Sequence, residues 1–213
     1  MTTQLQYIRR SNLVVSGATG DGLDLSNLRI QFKIKKSDAQ TPNTAEIRVY
    51  NLAPDTAKQI RKEFKRVVLQ AGYESNYGVI FDGNIKQVRM GRENGTDTYI
   101  DIAAGDGDDA YNYAVVNTTL AAGAKQSDQI NAAAGSMVSR GVKQGFIADT
   151  GSASLPRGKV MYGNARDYLR QSAEASGTTW SVQDGKLQLV SLTSVLPNQA
   201  VVLNSKTGLV GTP

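Results

Sequence analysis

The chain has 213 residues and contains neither cysteine nor histidine, which removes Ser-His-Asp and Cys-His nucleophiles, structural zinc sites and the common haem ligands together. Chemistry at neutral pH would have to come from Asp, Glu, Lys or Tyr, or from a metal held by oxygen ligands, so the expectation is a protein that is not an enzyme and needs no cofactor. Lys and Arg number 24 against 19 Asp and Glu, a net charge of +5. No apolar run approaches the roughly 18 residues of a membrane span, and the polar stretch Met1 to Arg10 lacks a signal-peptide core. Synthesis in a cytoplasm without membrane insertion is expected, unless an assembly carries the protein elsewhere.

From Leu28 to Ile34 apolar and polar residues alternate strictly, with Leu28, Ile30, Phe32 and Ile34 on one face and Arg29, Gln31 and Lys33 on the other, the pattern of a half-buried strand. Ala45 to Tyr50 alternates too, after a Thr-Pro-Asn turn at Thr41 to Asn43, and the pair reads as an antiparallel hairpin. Pro54 opens a short amphipathic helix to Phe64, with Ile60 and Phe64 four residues apart. Val67 to Tyr73 is strand-like, and Val79 to Met90 and Thr96 to Ala103 flank the hairpin signal Glu93-Asn94-Gly95. The first 105 or so residues thus predict five or six antiparallel strands and one helix, a closed barrel or sandwich.

Beyond that point the composition shifts toward Ala, Asn, Ser, Thr and Gly. Ser127 to Met137 carries an apolar stripe through Ile130, Ala133, Ala134 and Met137. Asn164 is placed to cap a helix from Ala165 to Ala175 that Gly177 stops. Lys159 to Tyr162 reads as a strand, Thr178 to Gln183 and Lys186 to Ser191 form a hairpin around Asp184-Gly185, and Val201 to Leu203 could add one strand. The expected fold class is α+β and β-rich: a barrel domain over residues 1–115, a small α+β domain over 116–196, and a C-terminal segment, 197–213, that could begin a second barrel.

Two glycine-rich stretches resemble phosphate sites and fail on context. Leu13 to Gly22 runs from a strand into glycines, but a strand follows where the pyrophosphate needs a helix N-terminus. Gly151 to Lys159 has its glycines too far apart, and Val160 stands where a magnesium-binding Ser or Thr belongs. Asp101, Asp106, Asp108 and Asp109 form the acidic cluster; they could hold a hard cation or act as a carboxylate pair, but they lack a calcium loop's spacing and read equally as turn and helix-start acids. The basic concentration is Arg29, Lys33, Lys35 and Lys36, with Lys58, Arg61, Lys62, Lys65 and Arg66. It could face DNA or an acidic protein, yet no series of aromatic residues interleaves on its polar face as a single-strand platform would require, which suits a solvated face. Tyr73, Tyr77, Tyr111 and Tyr113 fall in or near turns, where a phenol suits an interface or the edge of a core.

Several stretches taken in order resemble the baseplate hub proteins of long-tailed bacteriophages: Leu28 to Ile34, Thr44 to Leu52 with the helix after it, Val79 to Ile85, Ile102 to Gly107, Leu155 to Val160, the helix around Asp167 to Ala173, and Trp180 with the Asp184-Gly185 hairpin. The resemblance implies a tail-tube-like barrel with a flanking helix followed by a small α+β domain. It also implies a homotrimer in a tail or related contractile injection system that joins tube to spike, meets the tape-measure protein and encloses a channel for DNA. Family members usually carry two such barrels, whereas this sequence stops where a second would begin, as a fragment or a one-barrel form would. Arg29, Lys33 and Lys35 are then candidates for a face turned to the channel or to a partner. The alternatives are a tail-associated cell-wall hydrolase, which would need a carboxylate pair at Asp106 to Asp109, and a carbohydrate- or peptide-binding β module, which would need exposed aromatics that Trp180 alone does not supply.

Overall fold

A computed structural model describes residues 8–17, 22–74, 76–151 and 154–197. Its largest element is a seven-stranded antiparallel sheet built from β1 (Arg9–Gly17), β2 (Gly22–Asp24), β3 (Ile30–Lys35), β4 (Thr44–Tyr50), β5 (Phe64–Tyr73), β6 (Asn76–Arg92) and β7 (Thr98–Gly105), in the order β2-β1-β5-β6-β7-β4-β3. The predicted hairpins are present, with Ile30 opposite Val49 and Arg92 opposite Thr98. In the second turn Asn94 Oδ1 accepts the amides of Thr96 and Asp97 at 2.8 and 2.7 Å.

Chain connectivity forces this sheet to curl. Seven flat strands would set β2 and β3 about 29 Å apart at ordinary strand spacing. The six steps from Asp24 to Ile30 span at most about 21 Å. Leu25 bonds back to the Leu13 carbonyl at 2.8 Å, and the Tyr50 amide bonds to the Arg29 carbonyl at 3.0 Å, so the connecting segment is stitched to both sides of the sheet. Among the described residues β2 and β3 form no ladder with each other. The α+β, β-rich class stands, but the expected barrel is an open, curled sheet whose gap is crossed by a loop.

The inner face of the curl holds Leu13, Val15, Ile47, Val49, Val67, Leu69, Phe81, Ile100 and Ile102, each at most 1% exposed. Helix α1 (Pro54–Glu63) starts at the predicted proline and inserts Ala57 and Ile60 into this cluster. Phe64, predicted to close the helix, instead opens β5, half-buried. Gly83 is required where β6 passes β7, because a Cβ there would lie 2.6 Å from the Gly105 carbonyl oxygen.

A second apolar cluster forms around Trp180, Met137, Met161, Leu169, Leu187 and Leu189. Helices α2 (Asp108–Tyr113), α3 (Gln126–Val138) and α4 (Ala165–Ala175) surround it, with a ribbon of β8 (Val115–Leu120) and β10 (Lys159–Asn164) and a three-stranded sheet of β9 (Lys143–Ile147), β11 (Thr178–Gln183) and β12 (Lys186–Ser191). As predicted, Asn164 caps α4 through the Arg166 amide at 3.1 Å, and Gly177 follows at φ +61°. The sequence reading missed α2, β8 and β9. The proposed strand at Val201 to Leu203 lies outside the described residues.

Ile60 is fully buried on α1 while Lys62, two residues on, is exposed. Ile60→Ala should cost about 2–5 kcal/mol, and Lys62→Ala about 0.5 kcal/mol or less, as read from urea unfolding midpoints.

Candidate functional site

The strict alternation of β3 sends Arg29, Gln31, Lys33 and Lys35 to the outer face of the curled sheet, and register extends that face across β4, β7 and β6. Lys33 lies opposite Glu46, which lies opposite Ala103 and then Gln87. In the next row Gln31, Arg48, Asp101 and Arg89 line up across the four strands. Together these two rows line an open groove of about 560 Å³.

The arginines differ in freedom. Arg48 grips Asp101 in two parallel bonds of 2.7 and 2.9 Å and lies 3.9 Å above the Tyr99 ring. Its guanidinium is held above its ordinary pKa chiefly by the Asp101 bond. Tyr99 in turn covers Gly91, where any Cβ would collide with the ring at 2.6 Å. Arg29 stacks on Tyr50 at 4.4 Å, and Tyr50 donates to Gln31 Oε1 at 3.1 Å. Of the residues singled out from sequence, Arg29 is therefore folded down onto the sheet. Lys33 and Lys35 are exposed, without an ion-pair partner among the described residues.

Along the sequence the cations are not joined by an aromatic platform, since Phe32 alternates to the opposite face from Arg29 and Lys33, whereas in the fold Tyr50 and Tyr99 interleave across strands, a relation only register reveals. The rings do not make a base-stacking platform, since guanidinium groups cover them and Tyr50 is 2% exposed. Trp180, weighed for ligand binding, is fully buried in the second core, where Tyr111 stacks on it at 6.2 Å.

The acidic cluster is dispersed over separate structural tasks. Asp101 holds Arg48, Asp108 pairs with Lys86 at 2.7 Å, and Asp109 faces Arg140 at 3.6 Å. Asp106 is 1% exposed and accepts the backbone amides of Asp184 and Gly185 at 2.6 and 2.8 Å. It thereby ties the end of β7 to the β11–β12 turn. Beside it the buried Asn43 donates to the Val182 carbonyl at 3.2 Å and to Gln183 Oε1 at 2.8 Å, and accepts the Ser37 amide at 2.8 Å. Lys36 reaches Asp184 at 2.5 Å. Burial pushes the Asp106 carboxyl above the ordinary carboxylate range, against the pull of the Gly185 and Asp184 amides. Protonation of a carboxyl raised in this way favours folding below its unfolded pKa, and that increment is lost as pH rises through the folded value, leaving the ionised carboxylate on its two amides.

No protein-family profile matches the chain, and no curated protein matches it significantly. Among solved structures it is similar to the tail protein from Neisseria meningitidis MC58, with a TM-score of 0.57 and 11% identity over 86% of this chain and 50% of that one. It is also similar to the 43 kDa tail protein of prophage MuSo2 from Shewanella oneidensis, with a TM-score of 0.55 and 10% identity over 84% and 54%. The chain spans about half the length of these proteins, and over that span it shares their fold.

Asn43→Ala removes the three bonds of a buried side chain and leaves the Ser37 amide and the Val182 carbonyl without that partner. It should cost about 1–3 kcal/mol, measured by urea unfolding.

Proposed function

We propose that this chain is a structural, non-enzymatic subunit of a bacteriophage tail, placed at the baseplate hub, where it joins the tail tube to the central spike and helps enclose the path of the DNA. The observation that carries this reading is the fold, which follows a tail protein over 86% of the chain at a TM-score of 0.57. In the proposed assembly three copies form a ring whose neighbours are the tube, the spike and the tape-measure protein, within the tail of the virion. Such a component acts by geometry, presenting one fixed face to each neighbour.

The outer face of β3, β4, β7 and β6 suits that role. Arg48 and Arg29 are locked onto tyrosine rings, so this part of the surface keeps its shape. Lys33 and Lys35 remain exposed on the edge strand, as suits cations that meet a polyanion or an acidic neighbour in passing. The hydrolase alternative finds no support in the carboxylates, since Asp106, Asp108 and Asp109 each serve a different structural partner.

Phage particles carrying the double variant Lys33→Glu, Lys35→Glu should still show the protein at the tail tip by immunogold labelling, while delivering DNA about tenfold less efficiently. Unchanged delivery would overturn the channel-facing placement. Intact virions without label would overturn the tail reading, and digestion of peptidoglycan by the purified chain would overturn the non-enzymatic one.

A further inference from the structure

The two-stranded ribbon of β8 and β10 buries one face and exposes the other. Val116 and Met161 point into the second core at 1% and 0% exposure, whereas Val160 and Tyr162 stand 72% and 74% exposed on the opposite side. Register places Val160 beside Thr119, Tyr162 beside Asn117 and Asn164 beside Val115. Val115 is itself 54% exposed, and Tyr113, just before β8, is 60% exposed. Among the described residues, none that the register places on this face is charged.

The ribbon is also held in a fixed shape. Tyr162 donates its amide to the Tyr168 hydroxyl at 2.9 Å, and that hydroxyl donates to the Tyr162 carbonyl at 3.3 Å. One α4 side chain thus satisfies the middle of the β10 edge, and ordering it on contact costs little. Lys159, at the start of β10, is drawn away to Gln129 Oε1 at 2.7 Å, which keeps its charge off the exposed face.

We propose that this face is an interface between two copies of the chain, packed ribbon to ribbon about a two-fold axis, with Val160 and Tyr162 at its centre. Two arguments select a second copy as the occupant. The first is area: Tyr113, Val115, Val160 and Tyr162 expose roughly 500 Å² of side chain, near the upper end for the largest apolar patch of a monomer. Two copies together reach about 1,000 Å², the lower limit for a specific interface, so the contact is reversible and depends on concentration. The second is charge: each copy carries +5 and repels its like, so a face without charge is where two copies approach at least cost. An isologous contact also needs only one such patch. The proposal does not rest on the tail reading: a two-fold pair forms between free copies or between copies of two different rings, not within one three-copy ring.

Light scattering behind a sizing column, from about 1 μM to 1 mM, tests it on the full chain. The mass of the unmodified protein should rise with concentration to twice that of the Val160→Lys, Tyr162→Lys double variant at the same concentration, whatever multiple other contacts produce. Both side chains are solvent-exposed, so the variant keeps its fold, checked by circular dichroism. Because the chain has no cysteine, a Val160→Cys variant should also form intermolecular disulfides under mild oxidation far faster than a Val195→Cys variant, whose position is 85% exposed but lies off the ribbon. Equal masses for unmodified and double-variant protein across the range, or equal cross-linking rates, overturn the proposal, and such a result would leave the face to a strand or loop of a different protein.

Discussion

A buried carboxylate at the junction of the two cores is the constraint on which the arrangement depends. The β11–β12 turn places Asp184 at φ +52° and Gly185 at φ +74°, the left-handed pair of a tight hairpin, and this conformation turns both amides outward together. Asp106, carried just past the end of β7, accepts both. A left-handed residue costs little for Asp or Gly and more for a branched side chain, so the hairpin sequence and the clasp depend on each other. Around that centre Asn43, Lys36 and Gln183 link the β3–β4 connection to the same hairpin. Each is a polar bond with donor and acceptor on opposite sides of the junction. Two apolar clusters that share no buried side chain are thereby joined by directional bonds, which fix an angle as well as a distance.

That rigidity connects to the reading of the chain as a tail component. A structural subunit needs faces that keep their shape when neighbours press on them, and the outer sheet face achieves this with little burial. Arg48 is fixed by a carboxylate at its edge and a ring beneath it, and Arg29 is fixed by Tyr50. The exposed cations, Lys33 and Lys35, sit on the edge strand. There they also discourage unwanted strand addition to β3, so a single placement serves both contact and solubility.

Much of the fold was legible because short-range rules set it. The alternation from Leu28, the proline at the start of α1, the Asn94-Gly95 and Asp184-Gly185 turns and the Asn164 cap are local signals, and the structure places elements at each. The strand at Val115 escaped because the Ala and Gly that follow it mask a β-branched run of only six residues, and the strand at Lys143 because Lys-Gln-Gly-Phe-Ile holds a single β-branched residue and a central glycine. A curled sheet was expected as a barrel, but that it stays open with a loop across the gap was not legible: this follows from the seven-strand order, and the order is a long-range property. The same holds for the site. Lys33 was found by its periodicity, whereas the stacking of Arg48 on Tyr99 and the capture of the Asp184 and Gly185 amides by Asp106 join residues about 50 and 80 positions apart, and only tertiary register brings them together.

The central claim is that the two cores behave as one body because the junction locks them. Hydrogen exchange followed by mass spectrometry at neutral pH tests it most directly, since cooperative units exchange together. The account predicts that peptides covering β11 and β12 exchange as slowly as those covering β4 and β7. Exchange in the β11–β12 hairpin about a hundredfold faster than in β4 and β7 would show that the second core opens on its own, and would contradict the claim.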